Sequence, residues 1–279
     1  MDHLAETGVR FERSFCTAPQ CSPSRAALHT GRYPHATGVL GLAHAPFGWR
    51  LDPSERHIAH ILADVGYATS LIGMQHLVER DAAHELGYQR VAPVSPAYEE
   101  ADVAVAQLRE LSSQEAPFYL EVGFEEPHRP YDFGGARRDA SRGVAIPPYL
   151  PNTAEAQEDF AAFQGAIRQM DEAVGRILSA LDELGIADTT LVVFATDHGA
   201  AMPRAKCTLY DPGIEVALLM RYPKAGLAGG RVVSELVSNV DITPTVLDAL
   251  GLPLPASLHG QSLWPLLQEA PFQPRSEVF

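Results

Sequence analysis

The sequence predicts an α/β fold, with a mostly parallel, mixed central sheet and helices on both faces, over one domain covering residues 1–279. Three observations predict it. Short apolar runs of strand length alternate with longer stretches whose apolar residues recur at helical spacing. The long stretches end on glycines, Gly185 and Gly251, that suit a left-handed helix end. Hydrophobic residues make up 46% of the 279, enough to bury the core of one large domain.

The first predicted element is a short helix, with Ser22 as N-cap, Pro23 at the first helical position and Gly31 at the far end. Ser54 is read as the cap of a second helix carrying Ile58, Ile61, Leu62 and Val65 on one face. Thr69–Ile72 reads as a strand, and a helix follows over Glu99–Leu111. Phe118–Val122 is the next strand. The longest helix runs from Ala154 to Leu184, with Phe160, Phe163, Ile167, Met170, Val174, Ile177, Leu178 and Leu181 at helical spacing. Strands over Leu191–Ala195 and Val216–Met220 and a helix over Pro244–Leu250 complete the pattern. The loops at Gly134–Pro151 and Pro253–Gly260 read as excursions from the domain rather than linkers. In such a fold, ligands sit at the carboxyl ends of the strands.

Charge narrows the function. The formal net charge is −14, from 21 basic and 35 acidic residues. A nucleic-acid surface needs a basic face, so none is expected. A small anionic substrate stays open, because pocket charge can oppose the global charge. No apolar run reaches the roughly 18 residues of a membrane-spanning helix. Met1-Asp-His-Leu-Ala-Glu has the form of no signal peptide. Three cysteines, Cys16, Cys21 and Cys207, make no disulfide framework.

Cys21 stands beside a predicted helix N-terminus, where backbone N–H groups and the helix dipole favour an anion. Arg25, about one turn on, can face the same point. Those neighbours depress a thiol's pKa and raise its reactivity. Read alone, a cysteine here is as well explained by burial ahead of a surface helix.

The wider stretch decides between these readings. Cys21-Ser22-Pro23-Ser24-Arg25, continuing to Thr30-Gly31-Arg32, resembles the signature of the formylglycine-dependent sulfatases of the alkaline-phosphatase-like superfamily. Gly8-Val9-Arg10-Phe11 and Arg32-Tyr33-Pro34-His35 fit the same neighbourhood, and later segments follow the family order across nearly the whole chain. The resemblance implies a sulfuric ester or sulfamate hydrolase in which a maturing enzyme converts Cys21 to Cα-formylglycine. One hydroxyl of the aldehyde hydrate attacks sulfur, and the other expels sulfate and restores the aldehyde. The substrate is then a sulfated small molecule or glycan.

The resemblance also assigns the remaining residues. Asp197 and His198, after the Leu191–Ala195 strand, match the family's calcium ligands, with residue 21 as a third; His198 supplies nitrogen where calcium prefers oxygen. Lys206, ahead of Leu209-Tyr210-Asp211-Pro212-Gly213, matches the lysine that contacts sulfate and the leaving atom, and Arg204 is a second anion ligand. His128, in Pro127-His128-Arg129-Pro130, matches a sulfate contact and a candidate acid for the leaving group. His76, in Gly73-Met74-Gln75-His76, matches the histidine that bonds the hydrate and acts as base for sulfate release. Met74 replaces the family's lysine and removes one positive contact. The Arg204-Ala205-Lys206 and Pro127–Tyr131 segments look most like the heparan N-sulfatase (sulfamidase) branch.

Sulfatases open with a strand ending in two calcium-binding aspartates, and Met1 matches the helix after that strand. The chain is therefore expected to be incomplete at both ends, to bind calcium poorly and to turn over little as it stands. A phosphonate or phosphate monoester hydrolase of the same superfamily, and a non-catalytic remnant, remain as alternatives.

Overall fold

The computed structural model describes residues 1–279, and strands alternate with helices along it. The strands are β1 (Val9–Phe15), β2 (Ala68–Gly73), β3 (Arg90–Ala92), β4 (Phe118–Gly123), β5 (Val192–Ala195), β6 (Leu218–Arg221) and β7 (Arg231–Ser238). The helices are α1 (Asp2–Thr7), α2 (Cys21–Thr30), α3 (Pro34–Thr37), α4 (Ile58–Asp64), α5 (Ala97–Leu111), α6 (Ala154–Glu183), α7 (Asp211–Ile214), α8 (Ile242–Ala249) and α9 (Trp264–Leu267). No helix is long and apolar enough to cross a membrane.

The chain folds as two compact units. The first comprises Met1, residues 68–74 and residues 90–186. Its sheet, in the order β3-β2-β4, is wholly parallel, as the alternation of strands and helices requires. Helices α5 and α6 pack together through Ala97, Ala101 and Ala173, whose small side chains let the helices approach closely. Thr153 caps α6 by accepting from the Ala156 N–H at 3.3 Å, and Gly185 follows with φ 69°, as predicted.

The second unit comprises residues 2–67, 75–89 and 187–279. Its sheet, β5-β6-β1-β7, is mixed: β1 runs parallel to β7 but antiparallel to β6, and β5 runs antiparallel to β6. Val9, Phe11, Leu218, Met220, Val233 and Val237 project from it into one apolar cluster closed by Ile242 and Leu267. The mostly parallel, mixed sheet that the sequence predicts thus takes the form of a wholly parallel sheet in the first unit and a mixed one in the second.

Three local expectations are corrected. Residue 54 does not cap α4. His57 does, its Nδ1 accepting from the Ala59 N–H at 3.0 Å, while Ser54 forms a turn on Asp52. Ser22 does not cap α2. Gln20 holds the extended cap position without a side-chain bond, so Cys21 is the first helical residue and Pro23 the third. Pro23 is tolerated there because the first N–H groups of a helix have no intrahelical partner. Ser22 Oγ instead accepts from the Ala43 N–H at 3.0 Å. Strands β1, β3 and β7, absent from the sequence reading, are the third difference. Charged and polar residues fill β1, and its register shifts between Phe11 and Arg13, which breaks the alternation.

Candidate active site

Helix α2 is anchored along its length. The Ser24 hydroxyl donates to the Asp197 carbonyl and accepts from Asn239 Nδ2 at 2.7 Å. Asn239 Oδ1 accepts from the Thr17 N–H at 3.1 Å, and Thr243 Oγ1 donates to the Leu28 carbonyl at 2.6 Å. Gly31 ends the helix at φ 67°, and a Cβ there would stand 2.6 Å from Leu258 Cδ2. Cys21 is therefore held rigidly, with 5% of its surface exposed.

The segment that carries Asp197 and His198 is fixed just as firmly. Beyond β5 the Thr196 N–H donates to the Ala217 carbonyl at 3.1 Å, and the Ala217 N–H returns to Thr196 Oγ1 at 3.0 Å. Gly199 then passes so close to Pro212 that an added Cβ would lie 1.8 Å from its carbonyl oxygen. No larger residue fits without moving backbone.

These anchors bring five of the predicted residues together in the second unit. His198 Nε2 lies 3.1 Å from Cys21 Sγ, and Lys206 Nζ lies 3.4 Å from the same sulfur. Arg25 Nε donates to Asp197 Oδ2 at 2.9 Å, and the His198 N–H donates to Asp197 Oδ1 at 3.0 Å. His198 Nδ1 donates to the Gly199 carbonyl at 2.7 Å, which leaves Nε2 to face the sulfur.

The electrostatics follow from this geometry. Burial would raise the Cys21 thiol, but the hydrogen bond from His198 and the favourable interaction with the nearby His76 ring override it and bring the pKa down to about 5. Burial also works against His198 in its charged form, yet Cys21 and Asp197 hold its pKa above the ordinary value. Burial would raise Asp197 too, and Arg25 and His198 keep it below the usual carboxylate range. The unconverted Cys21 thus favours the thiolate, beside a His198 drawn toward its protonated form and with Lys206 Nζ 3.4 Å away. Cys16 behaves oppositely: burial without such partners pushes it up to about 12.

His76 belongs to the same unit and is a further group that lowers the Cys21 thiol. Arg204 is exposed, with its guanidinium carbon 5.0 Å from the centre of the Tyr210 ring. His128 belongs to the first unit, on the loop after β4, with Nδ1 2.7 Å from the Arg129 carbonyl. Met74 ends the β2 segment of that unit, its N–H donating to the Gly123 carbonyl at 2.8 Å. Two residues went unread in the sequence. Asn239 ties α2 to the turn after β7, and His44 bonds His76. Only an asparagine beside Asp241 and a histidine in a Gly-rich loop mark them in the sequence.

Cys21, Asp197 and His198 each offer one donor atom, all within 4.8 Å of one another. Calcium takes roughly six to eight oxygens. Here one donor is nitrogen, one is sulfur, and both carboxylate oxygens of Asp197 already accept hydrogen bonds. The residues present do not make a calcium site.

The sulfatase family model matches residues 1–252. The chain belongs to the sulfatase family. N-sulphoglucosamine sulphohydrolase of Homo sapiens is 30% identical over 316 residues, covering 97% of this chain and 61% of that protein. The chain thus spans about three fifths of that curated relative's length. A solved chain in complex with its substrate D-glucosamine-2-N,6-O-disulfate superimposes with a TM-score of 0.74 at 19% identity, over 99% of this chain and 76% of its own. The phosphonate monoester hydrolase of Silicibacter pomeroyi gives 0.75 at 22% identity, over 97% of this chain and 71% of its own. These likenesses place the sulfatase chain in the alkaline-phosphatase-like fold.

Proposed function

We propose that this chain carries the nucleophile and the anion-binding groups of a sulfuric ester or sulfamate hydrolase acting on a sulfated sugar. The observation that carries the reading is residue 21 at the first position of α2, with Lys206 Nζ at 3.4 Å, His198 Nε2 at 3.1 Å and the Arg25 charge one turn away. Formylglycine made from Cys21 by a maturing enzyme would supply a hydrate, one hydroxyl of which attacks sulfur while the other later expels sulfate.

The chain's own groups do the rest. The N-terminus of α2 presents positive potential where a sulfate would sit. Lys206 and Arg25 add full charges, and Lys206 can neutralise the oxygen or nitrogen that leaves. Asp197 holds Arg25 in place. His76 takes the proton from residue 21 when sulfate departs. No step is routed through calcium. A sugar sulfamate is the favoured substrate because the sulphoglucosamine relative matches nearly the whole chain.

Sulfate release from a sugar N-sulfate, an aryl sulfate and a matched aryl phosphonate tests the reading, using the protein produced with a maturing enzyme. The sulfated substrates should show the higher kcat/KM. Lys206→Ala should cost about 100-fold or more, the scale for losing one group that stabilises developing charge. A higher kcat/KM on the phosphonate would move the assignment to the monoester hydrolases, and no turnover of any substrate would make the chain a non-catalytic relative.

A further inference from the structure

His76 does not stand alone. His44 Nδ1 lies 2.5 Å from His76 Nε2, and the two rings meet edge to edge, nearly coplanar, with centroids 4.8 Å apart and planes 15° apart. Since Nε2 is taken by His44, the nitrogen of His76 left for residue 21 is Nδ1. That atom is buried and hydrogen-bonds to no neighbour within ordinary distance, while His76 is among the groups that draw the Cys21 thiol pKa down.

Both histidines are held where they are by their loops. His76 has φ 62°, a conformation that is strained outside glycine and persists only where neighbours impose it. Buried Gln75 imposes it: its Oε1 accepts from the Leu77 and Val78 N–H groups, and its Nε2 donates to the Val78 carbonyl at 2.8 Å. The His44 loop is fastened at both ends. Ala43 N–H donates to Ser22 Oγ, next to the nucleophile, and Leu51 N–H donates to the Leu77 carbonyl at 2.8 Å, next to His76. Phe47 closes on His44 edge-on, with centroids 5.6 Å apart. Backbone strain, a side-chain template and two anchors thus converge on one ring-to-ring contact.

We propose that His44 is a positioning residue for His76. It fixes the His76 ring so that Nδ1 faces residue 21, and it shares the proton at Nε2. Which nitrogen of a histidine is available is set by the bond the other one makes. Without His44 the ring of His76 is free to turn, and its Nδ1 spends less time aligned with the nucleophile. His44 is exposed and its ring nitrogen bonds His76 rather than Cys21, Lys206 or Arg25, so its loss should leave the anion-binding charges in place.

The kinetic part of this inference rests on the hydrolase reading above, so one test is independent of turnover. Proton NMR of the unconverted protein should show one strongly downfield proton shared between the two rings. It should vanish in His44→Phe, which keeps an aromatic ring but has no nitrogen, and a hydrogen-bonded His76 Nε2 proton should return in His44→Asn, whose side-chain oxygen can stand where Nδ1 stood. Absence of that proton in the wild type, or its survival in His44→Phe, overturns the proposal. In the matured enzyme, His44→Phe should lower kcat about 10- to 100-fold, the range for losing the partner that orients a functional histidine, with KM changed by less than about threefold. His44→Asn should recover most of that loss. Equal defects in the two variants, or a rise in KM in place of the fall in kcat, would also overturn it. No turnover in the wild type would count against the hydrolase reading alone, and the NMR signal would still decide the role of His44.

Discussion

Glu100 should make this protein less stable as pH rises through neutrality. The residue lies in the first turn of α5 with none of its surface exposed, and neither carboxyl oxygen has a hydrogen-bond partner. Gly73 passes so close that a Cβ there would stand 2.5 Å from Glu100 Oε1. Its buried neighbour Glu126 takes the favourable position instead, accepting from the Ala97 N–H at the start of α5 and from Gln169 Nε2 at 2.6 Å. Burial first, and then the charges of Glu126, Glu125 and Glu99, push Glu100 up from 4.5 to about 8. Folded Glu100 keeps its proton where the unfolded chain has lost it. The raised pKa therefore contributes stability that is fully present below about pH 4.5 and is lost as pH rises through about 8. At about 1.4 kcal/mol per pH unit, the whole window amounts to about 5 kcal/mol, an upper value because other acids titrate beside it. Glu100→Gln keeps the shape and removes the titration. Denaturant unfolding between pH 5 and pH 8 should show the wild type losing about 2–4 kcal/mol more than the variant. Parallel pH profiles for the two proteins would refute the reasoning.

Two further outcomes are expected. In unconverted protein, the ultraviolet thiolate absorbance lost in Cys21→Ala should titrate near pH 5 rather than near 9, because His198 and His76 stabilise the thiolate; an inflection near 9 would contradict the site geometry. Gly199→Ala should destabilise by about 3 kcal/mol or more, read as a fall in Tm, because its Cβ would lie 1.8 Å from the Pro212 carbonyl oxygen and only backbone movement relieves the clash.

Much of this was legible in the sequence. The long helix announced itself by the spacing from Phe160 to Leu181, and Thr153 and Gly185 bound it within a residue of the prediction. The Cys21–Arg32 stretch identified the family, because it lists in order the residues that place a reactive group at a helix start. Strands β1 and β7 were not legible, since Arg10, Glu12, Arg13 and Glu235 dilute their apolar pattern and their partners lie far along the chain. The capping roles of His57 and Gln20 were missed for a related reason. A cap is defined by where the backbone turns, and tertiary bonds moved that point by one or more residues.

The sequence by itself determined the family and the short helix that carries Cys21, because those depend on local order and spacing. Tertiary structure decided the rest. It set His198 Nε2 at 3.1 Å and Lys206 Nζ at 3.4 Å from a sulfur more than 170 residues earlier in the chain. It engaged both oxygens of Asp197, left Arg204 on a tyrosine ring and paired His76 with a histidine the sequence did not single out. Charge and hydrogen bonding act over a few ångströms whatever the separation along the chain, so the motif around Cys21 could be read from its neighbours in sequence and its electrostatic surroundings only from its neighbours in space.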